Sequence, residues 1–186
     1  TWGALIHRIK SISSPLCSSL QLGGREMTRI TLTLNDEKRT ADVDADTRLI
    51  DMLRDDFRLV SVREGCGAGE CGVCTVLLDE MAVCSCLVPA VQADGHKITT
   101  LEGLEKDGEL DVLQQAFIDC DATQCGFCTP GMILSTKALL LRNACPSRDE
   151  IKRTLAGNIC RCTGYIPILN AVETAARRIT ARGEER

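Results

Sequence analysis

The sequence predicts an α+β fold of two successive domains, on three observations. Apolar and polar residues alternate from Thr28 to Leu34, the spacing turns helical beyond residue 104, and each half carries its own dense cysteine array. Period-two alternation marks half-buried strands, whereas i, i+3, i+4 spacing marks amphipathic helices. At 186 residues the chain suffices for one large domain or two small ones, and two arrays favour two. Aromatic residues make up only 3% of it, so neither half can build its core on aromatic bulk. Small domains of this kind need a staple, and a buried inorganic group is an effective one.

Residues 1–26 resemble neither half and read as a leader or extension outside the fold; strand alternation starts only after Met27. Without them the chain has 19 basic and 25 acidic residues, a net charge of −6 rather than −4. Cys17, in this stretch, is not expected to be a ligand. From Met27 a first strand leads through a turn at Asn35-Asp36 to a second strand over Thr40–Val43, the pattern of a β-hairpin. A short helix follows near Arg48–Asp55, with Thr47 as its cap and Leu49, Leu53 and Phe57 as its apolar stripe. A glycine-rich loop, Gly65–Gly72, precedes strands at Thr75–Leu78, Met81–Cys86 and Lys97–Thr99. Two strands, a helix, a cysteine loop and further strands is the order of a β-grasp ferredoxin-like domain, over residues 27–103.

Residues 104–180 read as four helices with short connections, a small four-helix bundle. The first lies near Glu109–Cys120, with Leu110, Leu113 and Phe117 on one face. The second takes Pro130 at its first position and runs to Arg142. Ser147 and Glu150 form a capping-box pattern that opens the third, Arg148–Leu155. Pro167 and Ile168–Ile179 form the fourth, and arginines at 177, 178 and 182 suit its C-terminus. Residues 181–186 are left as a tail.

Cys66, Cys71 and Cys74 in EGCGAGECGVC, with a fourth cysteine beyond, give the C-x4-C-x2-C…C spacing by which plant-type ferredoxins hold a [2Fe–2S] cluster. Spacing leaves the fourth ligand open between Cys84 and Cys86, two residues apart on one strand and so on the same side. Cys125 and Cys128 in QCGFCTPG, answered by Cys160 and Cys162 in GNICRCTGY, form a second set of four. Two sets imply two clusters and a path for electrons. Gly65, Gly67, Gly69 and Gly72 let the first loop approach its cluster and turn N–H groups inward. The second set falls just before two helices, whose N-terminal amides can face a negative cluster. Cys120 and Cys145 read as helix-end or core thiols.

Other classes fit less well. A secreted disulfide scaffold would spread its cysteines as cross-links, and residues 1–26 lack an unbroken apolar signal segment. A four-cysteine zinc site joins two compact knuckles, unlike three cysteines packed into nine residues with the fourth well away. The acidic balance argues against nucleic acid as the main partner, and no apolar run reaches membrane-spanning length. The expectation is therefore a cytoplasmic protein with neither role.

The motifs EGCGAGECGVCTVLLD…SCL and QCGFCTPGMI…GNICRCTGY together resemble the small iron–sulfur subunit of the molybdenum hydroxylases, the family of xanthine dehydrogenase, aldehyde oxidase and carbon monoxide dehydrogenase, over about residues 28–178. The resemblance implies one cluster on Cys66, Cys71, Cys74 and Cys86, since the family ligand is the cysteine of the SCL triplet. It implies the other on Cys125, Cys128, Cys160 and Cys162. It further implies that Gln124 contacts molybdopterin and that Cys162 lies beside the pterin. The implied partners are a large molybdopterin subunit and a medium FAD subunit, assembled as a dimer of heterotrimers. The substrate class implied is an N-heterocycle, an aldehyde or an aromatic compound, oxidised on the large subunit and not on this chain. Neither molybdenum ligation nor flavin binding is placed on this chain; no G-x-G-x-x-G follows a strand, and nothing else suggests an FAD pocket. The rival readings are a free-standing two-cluster ferredoxin carrier and a zinc-binding interaction module.

Overall fold

Strand β1 (Thr28–Leu34) buries Ile30, Leu32 and Leu34 on one face and leaves threonines between them. Its hairpin partner β2 (Glu37–Val43) pairs antiparallel in full register, from Leu34 opposite Glu37 to Thr28 opposite Val43. Asn35 and Asp36 both have positive φ, at 51° and 68°, as a tight two-residue turn of this twist requires. The computed structural model describes residues 27–183; the leader at 1–26, Cys17 and the end of the tail lie outside them.

Strands β3 (Thr75–Leu78), β4 (Met81–Cys84) and β5 (Lys97–Thr99) complete a five-stranded sheet of order β2-β1-β5-β3-β4. Among the described residues only the β1–β5 pair is parallel. Between β2 and β3 lies the short helix α1 (Leu49–Asp51), which widens into a π-turn over Met52–Asp56. Leu49, Ile50, Met52 and Leu53 are fully buried beneath the sheet, while Phe57 is only half-buried.

Two local expectations fail here. Thr47 does not cap α1. Its hydroxyl accepts from the Asp44 amide at 3.2 Å, and its own amide donates to the Asp44 carbonyl, so a turn uses the group that the cap would need. Strand β4 stops at Cys84 rather than Cys86, because the chain turns there: the Leu87 amide donates to the Cys84 carbonyl at 2.9 Å.

Four helices follow: α2 (Val112–Asp119), α3 (Thr129–Arg142), α4 (Arg148–Leu155) and α5 (Ile166–Arg182). Helix α2 starts later than its periodicity implies, since Asp111 caps it in a box with Gln114, and Leu110 is left exposed outside it. The Ser147/Glu150 box on α4 forms as read. Leu113, Phe117, Met132, Leu134, Ile151 and Val172 centre a second hydrophobic core that contains a single phenylalanine. Helix α2 packs on α5, and α3 on α4 and on strands β3 and β4. Cys120 ends α2, half-buried, whereas Cys145 is exposed in the α3–α4 connection rather than buried.

Candidate functional site: two cysteine tetrads

The loop between α1 and β3 carries Cys66, Cys71 and Cys74 from solvent to core: Cys66 is exposed, Cys71 intermediate and Cys74 buried. Cys86, in the turn after β4, is buried against Cys74. Cys66 neighbours Cys71, and Cys74 neighbours Cys86 and also Cys84. Amides of Ala68 and Glu70 donate to the Cys66 sulfur at 3.4 and 3.3 Å, and the Gly69 amide points at Cys86. Inward N–H groups of this kind stabilise the negative charge of a thiolate-held cluster.

Arg48 fixes the entry to this loop. Its guanidinium donates to both oxygens of Asp51 at 2.8 Å and to both of Glu64 at 2.8 and 3.0 Å, pinning the residue two before Cys66 to the start of α1. Arg48→Ala is expected to cost about 1 kcal/mol, since the pairs are half-exposed and a fork of this geometry exceeds an ordinary surface pair. Urea unfolding of the variant, with Arg48→Lys intermediate, checks the value.

The second tetrad lies at the helical end. Cys128 is the N-cap residue of α3, and Cys160 and Cys162 precede α5. The Cys162 and Cys125 sulfurs are 3.6 Å apart and exposed, while Cys128 and Cys160 pair further in. Sequence reasoning missed what holds this loop. The Tyr165 hydroxyl accepts from the Cys160 amide at 2.9 Å and donates to the Asn158 carbonyl at 3.1 Å, and Tyr165 takes a left-handed φ of 68° to do so. All three residues stand inside GNICRCTGY, but nothing in their spacing foretells the contact. Gln124 is exposed beside Cys125. Next to it, Arg63 stacks 5.7 Å over the Phe127 ring and donates to the Gly126 carbonyl.

The two loops touch. The Ile159 amide donates to the Cys71 carbonyl at 3.0 Å, and the buried Asn158 side chain donates to the Gly72 carbonyl at 2.9 Å. Gly72 is forced: its φ is +65°, and a Cβ there would stand 2.4 Å from the Gly157 carbonyl oxygen. One hydrogen bond thus joins a residue of the first tetrad to the residue next to Cys160 of the second.

Metal binding needs thiolates, and the environments rank the thiols. Cys66 is lowered to about 7, first by the Ala68 amide and then by its neighbour Cys71. Cys128 is pushed up to about 12, by burial and then by Cys160. Cys66 therefore becomes thiolate as the pH rises through about 7, and Cys128 stays a thiol across the neutral range. In the iron-free chain, iodoacetamide at neutral pH is expected to modify Cys66 well before Cys128, with a rate that climbs between pH 6 and 8 (roughly one unit either side of that value). Peptide mapping against time measures it; equal rates would contradict the ranking.

Known proteins fit this geometry. A domain family described as a 2Fe-2S iron-sulfur cluster binding domain matches residues 32–107, and a [2Fe-2S] binding domain matches residues 100–173. The nicotinate dehydrogenase small FeS subunit of Eubacterium barkeri is 51% identical over 149 residues, covering 80% of this chain and 95% of that protein. The xanthine dehydrogenase iron-sulfur-binding subunit of Escherichia coli O157:H7 is 52% identical over 128 residues, 68% of this chain and 80% of that protein. Quinoline 2-oxidoreductase from Pseudomonas putida 86 superimposes with a TM-score of 0.81 at 42% identity, covering 86% of this chain and 99% of the matched chain. In the aldehyde oxidoreductase of Desulfovibrio desulfuricans (TM-score 0.79, 44% identity), the match covers 86% of this chain but only 18% of the other.

Fold and sites together define a two-cluster [2Fe–2S] protein of the electron-transfer class. The chain belongs to the family of small iron–sulfur subunits of the xanthine dehydrogenase-type molybdenum hydroxylases. It is accordingly one subunit of a multisubunit oxidoreductase.

Proposed function

We propose that Cys66, Cys71, Cys74 and Cys86 hold one [2Fe–2S] cluster and that Cys125, Cys128, Cys160 and Cys162 hold the other, each thiol pair serving one iron. The donor chemistry supports this: four thiols per site, in pairs, with amides aimed at the sulfurs. The observation that carries the relay is the Ile159–Cys71 hydrogen bond. It puts a short covalent and hydrogen-bonded link between the tetrads, while Cys66 at one end and Cys125 and Cys162 at the other reach the surface. Such clusters, when bound, take up and release one electron at a time. The chain supplies the rest: thiolates to hold them, buried Cys74 and Cys86 to keep water from one, and a rigid junction to fix their separation.

On this reading residues 27–103 form a β-grasp ferredoxin-like domain and residues 104–180 a four-helix domain, in line with the mixed sheet and the two cores, of which the helical one also takes in Leu77 of β3. The exposed rim of Cys125 and Cys162 faces a large molybdopterin subunit, with Gln124 and Cys162 toward the pterin, and the Cys66 rim faces a medium FAD subunit. The assembly is a dimer of heterotrimers in the cytoplasm; among the described residues no helix is long and apolar enough to cross a membrane. The relatives named for nicotinate, nicotine, caffeine and quinoline favour an N-heterocycle as substrate of the complex.

Anaerobic purification of the tagged chain from its own host tests this. About four irons per chain, with molybdenum, flavin and two larger polypeptides, is the expected result. The same iron on a lone chain would point to a free carrier, and zinc in place of iron would remove the electron-transfer role.

A further inference from the structure

We propose that Cys84 is a reserve ligand of the first tetrad, placed to take the iron position of Cys86; the proposal rests on the ligand assignment above. Strand register sets Cys84 opposite Thr75, the residue after Cys74, so it lies at the rim of the same site. Its sulfur is 3.8 Å from the Gly69 carbonyl oxygen, within the loop that joins Cys66 to Cys71. The amide of that same Gly69 points at Cys86, so the two sulfurs flank one residue of the cluster loop. The thiols of Cys74, Cys86, Cys66 and Cys71 all lie near Cys84. Five thiols therefore share a site that needs four.

Cys84 has room to move. It lines a cavity of about 460 Å³ between the β3–β4 hairpin and helices α3 and α4, together with Met81, Ser135, Arg142 and Asn158. It is the last residue of β4, so reorienting its side chain breaks no further strand pairing. The exchange is a simple substitution at iron. Where Cys86 is bound, its iron–sulfur bond breaks and its thiolate takes up a proton from solvent, while the Cys84 thiol gives one up and its sulfur bonds the iron; in Cys86→Ala the Cys84 thiolate fills the open position. No electron is gained or lost.

The test uses the chain purified with its partner subunits as wild type, Cys84→Ala, Cys86→Ala and the double variant. Iron content and the electron paramagnetic resonance spectrum of the reduced protein are the readouts. Cys86→Ala is expected to keep about the wild-type iron, with shifted g-values for the first cluster only. Cys84→Ala should match wild type, and the double variant should lose about half the iron and that one signal. Cys86→Ala that loses the first cluster as completely as the double variant would overturn the proposal, whatever becomes of the second. A wild type that lacks the first cluster would instead sink the ligand assignment itself.

Discussion

Gly131→Ala is expected to destabilise the protein by about 3 kcal/mol and to loosen both cysteine loops together. Gly131 lies in the first turn of α3, where the helix meets the first cluster loop. A methyl group there would stand 2.2 Å from the Gly72 carbonyl oxygen and 3.0 Å from that of Val73. Both obstacles are backbone, so no side chain can swing aside, and either the helix or the loop must retreat. The loop is also held from the other side, by Asn158 on Gly72 and Ile159 on Cys71. Retreat strains those bonds and the link between the tetrads with them. A change of this size lowers the melting temperature by roughly 10 °C in a chain of this length. Gly157→Ala is the control: nothing stands within 4 Å of its Cβ position, and it should shift stability by less than about 0.5 kcal/mol. Loss of visible absorption on heating the complex measures both.

Cys160→Ala should have the larger functional effect. Cys160 pairs inward with Cys128, its amide is held by Tyr165, and it adjoins the residue bonded to Cys71. The variant is expected to lose about half of the iron and all signal from the second cluster, because among the described residues no fifth thiol accompanies Cys125, Cys128, Cys160 and Cys162. The first cluster should remain and still be reduced by dithionite. Reduction of the first cluster by the substrate of the complex should fall to background, since the inner step of the route is gone. Substrate-driven reduction at the wild-type rate would show that electrons bypass the second tetrad.

The parts of the fold legible in the sequence are those set by local pattern. The Asn35-Asp36 turn, the alternation of β1 and the Ser147/Glu150 box each depend on a few adjacent residues, and each forms where it was read. Thr47 misleads because two local hydrogen bonds compete for one hydroxyl, and the turn to Asp44 prevails. Cys84 and Cys86 look equivalent on a strand drawn through both. The turn after Cys84 separates them, burying Cys86 beside Cys74 and leaving Cys84 at the rim. Spacing sorts the cysteines into two sets and the resemblance chooses Cys86 over Cys84; that these sets hold the clusters is the proposal made above. The junction between the sets could not be read in the sequence, because Ile159–Cys71, Asn158–Gly72 and the close approach of Gly131 join residues scores of positions apart.

Electron paramagnetic resonance of the anaerobically reduced complex, with Cys71→Ala and Cys160→Ala alongside wild type, tests the central claim most directly. Two distinct [2Fe–2S] signals of equal intensity are expected, about one spin each per chain. Cys71→Ala should remove one and Cys160→Ala the other. A single signal in wild type, or the loss of both from either variant with the chain still folded, would contradict an account in which two separate thiolate sets hold two clusters.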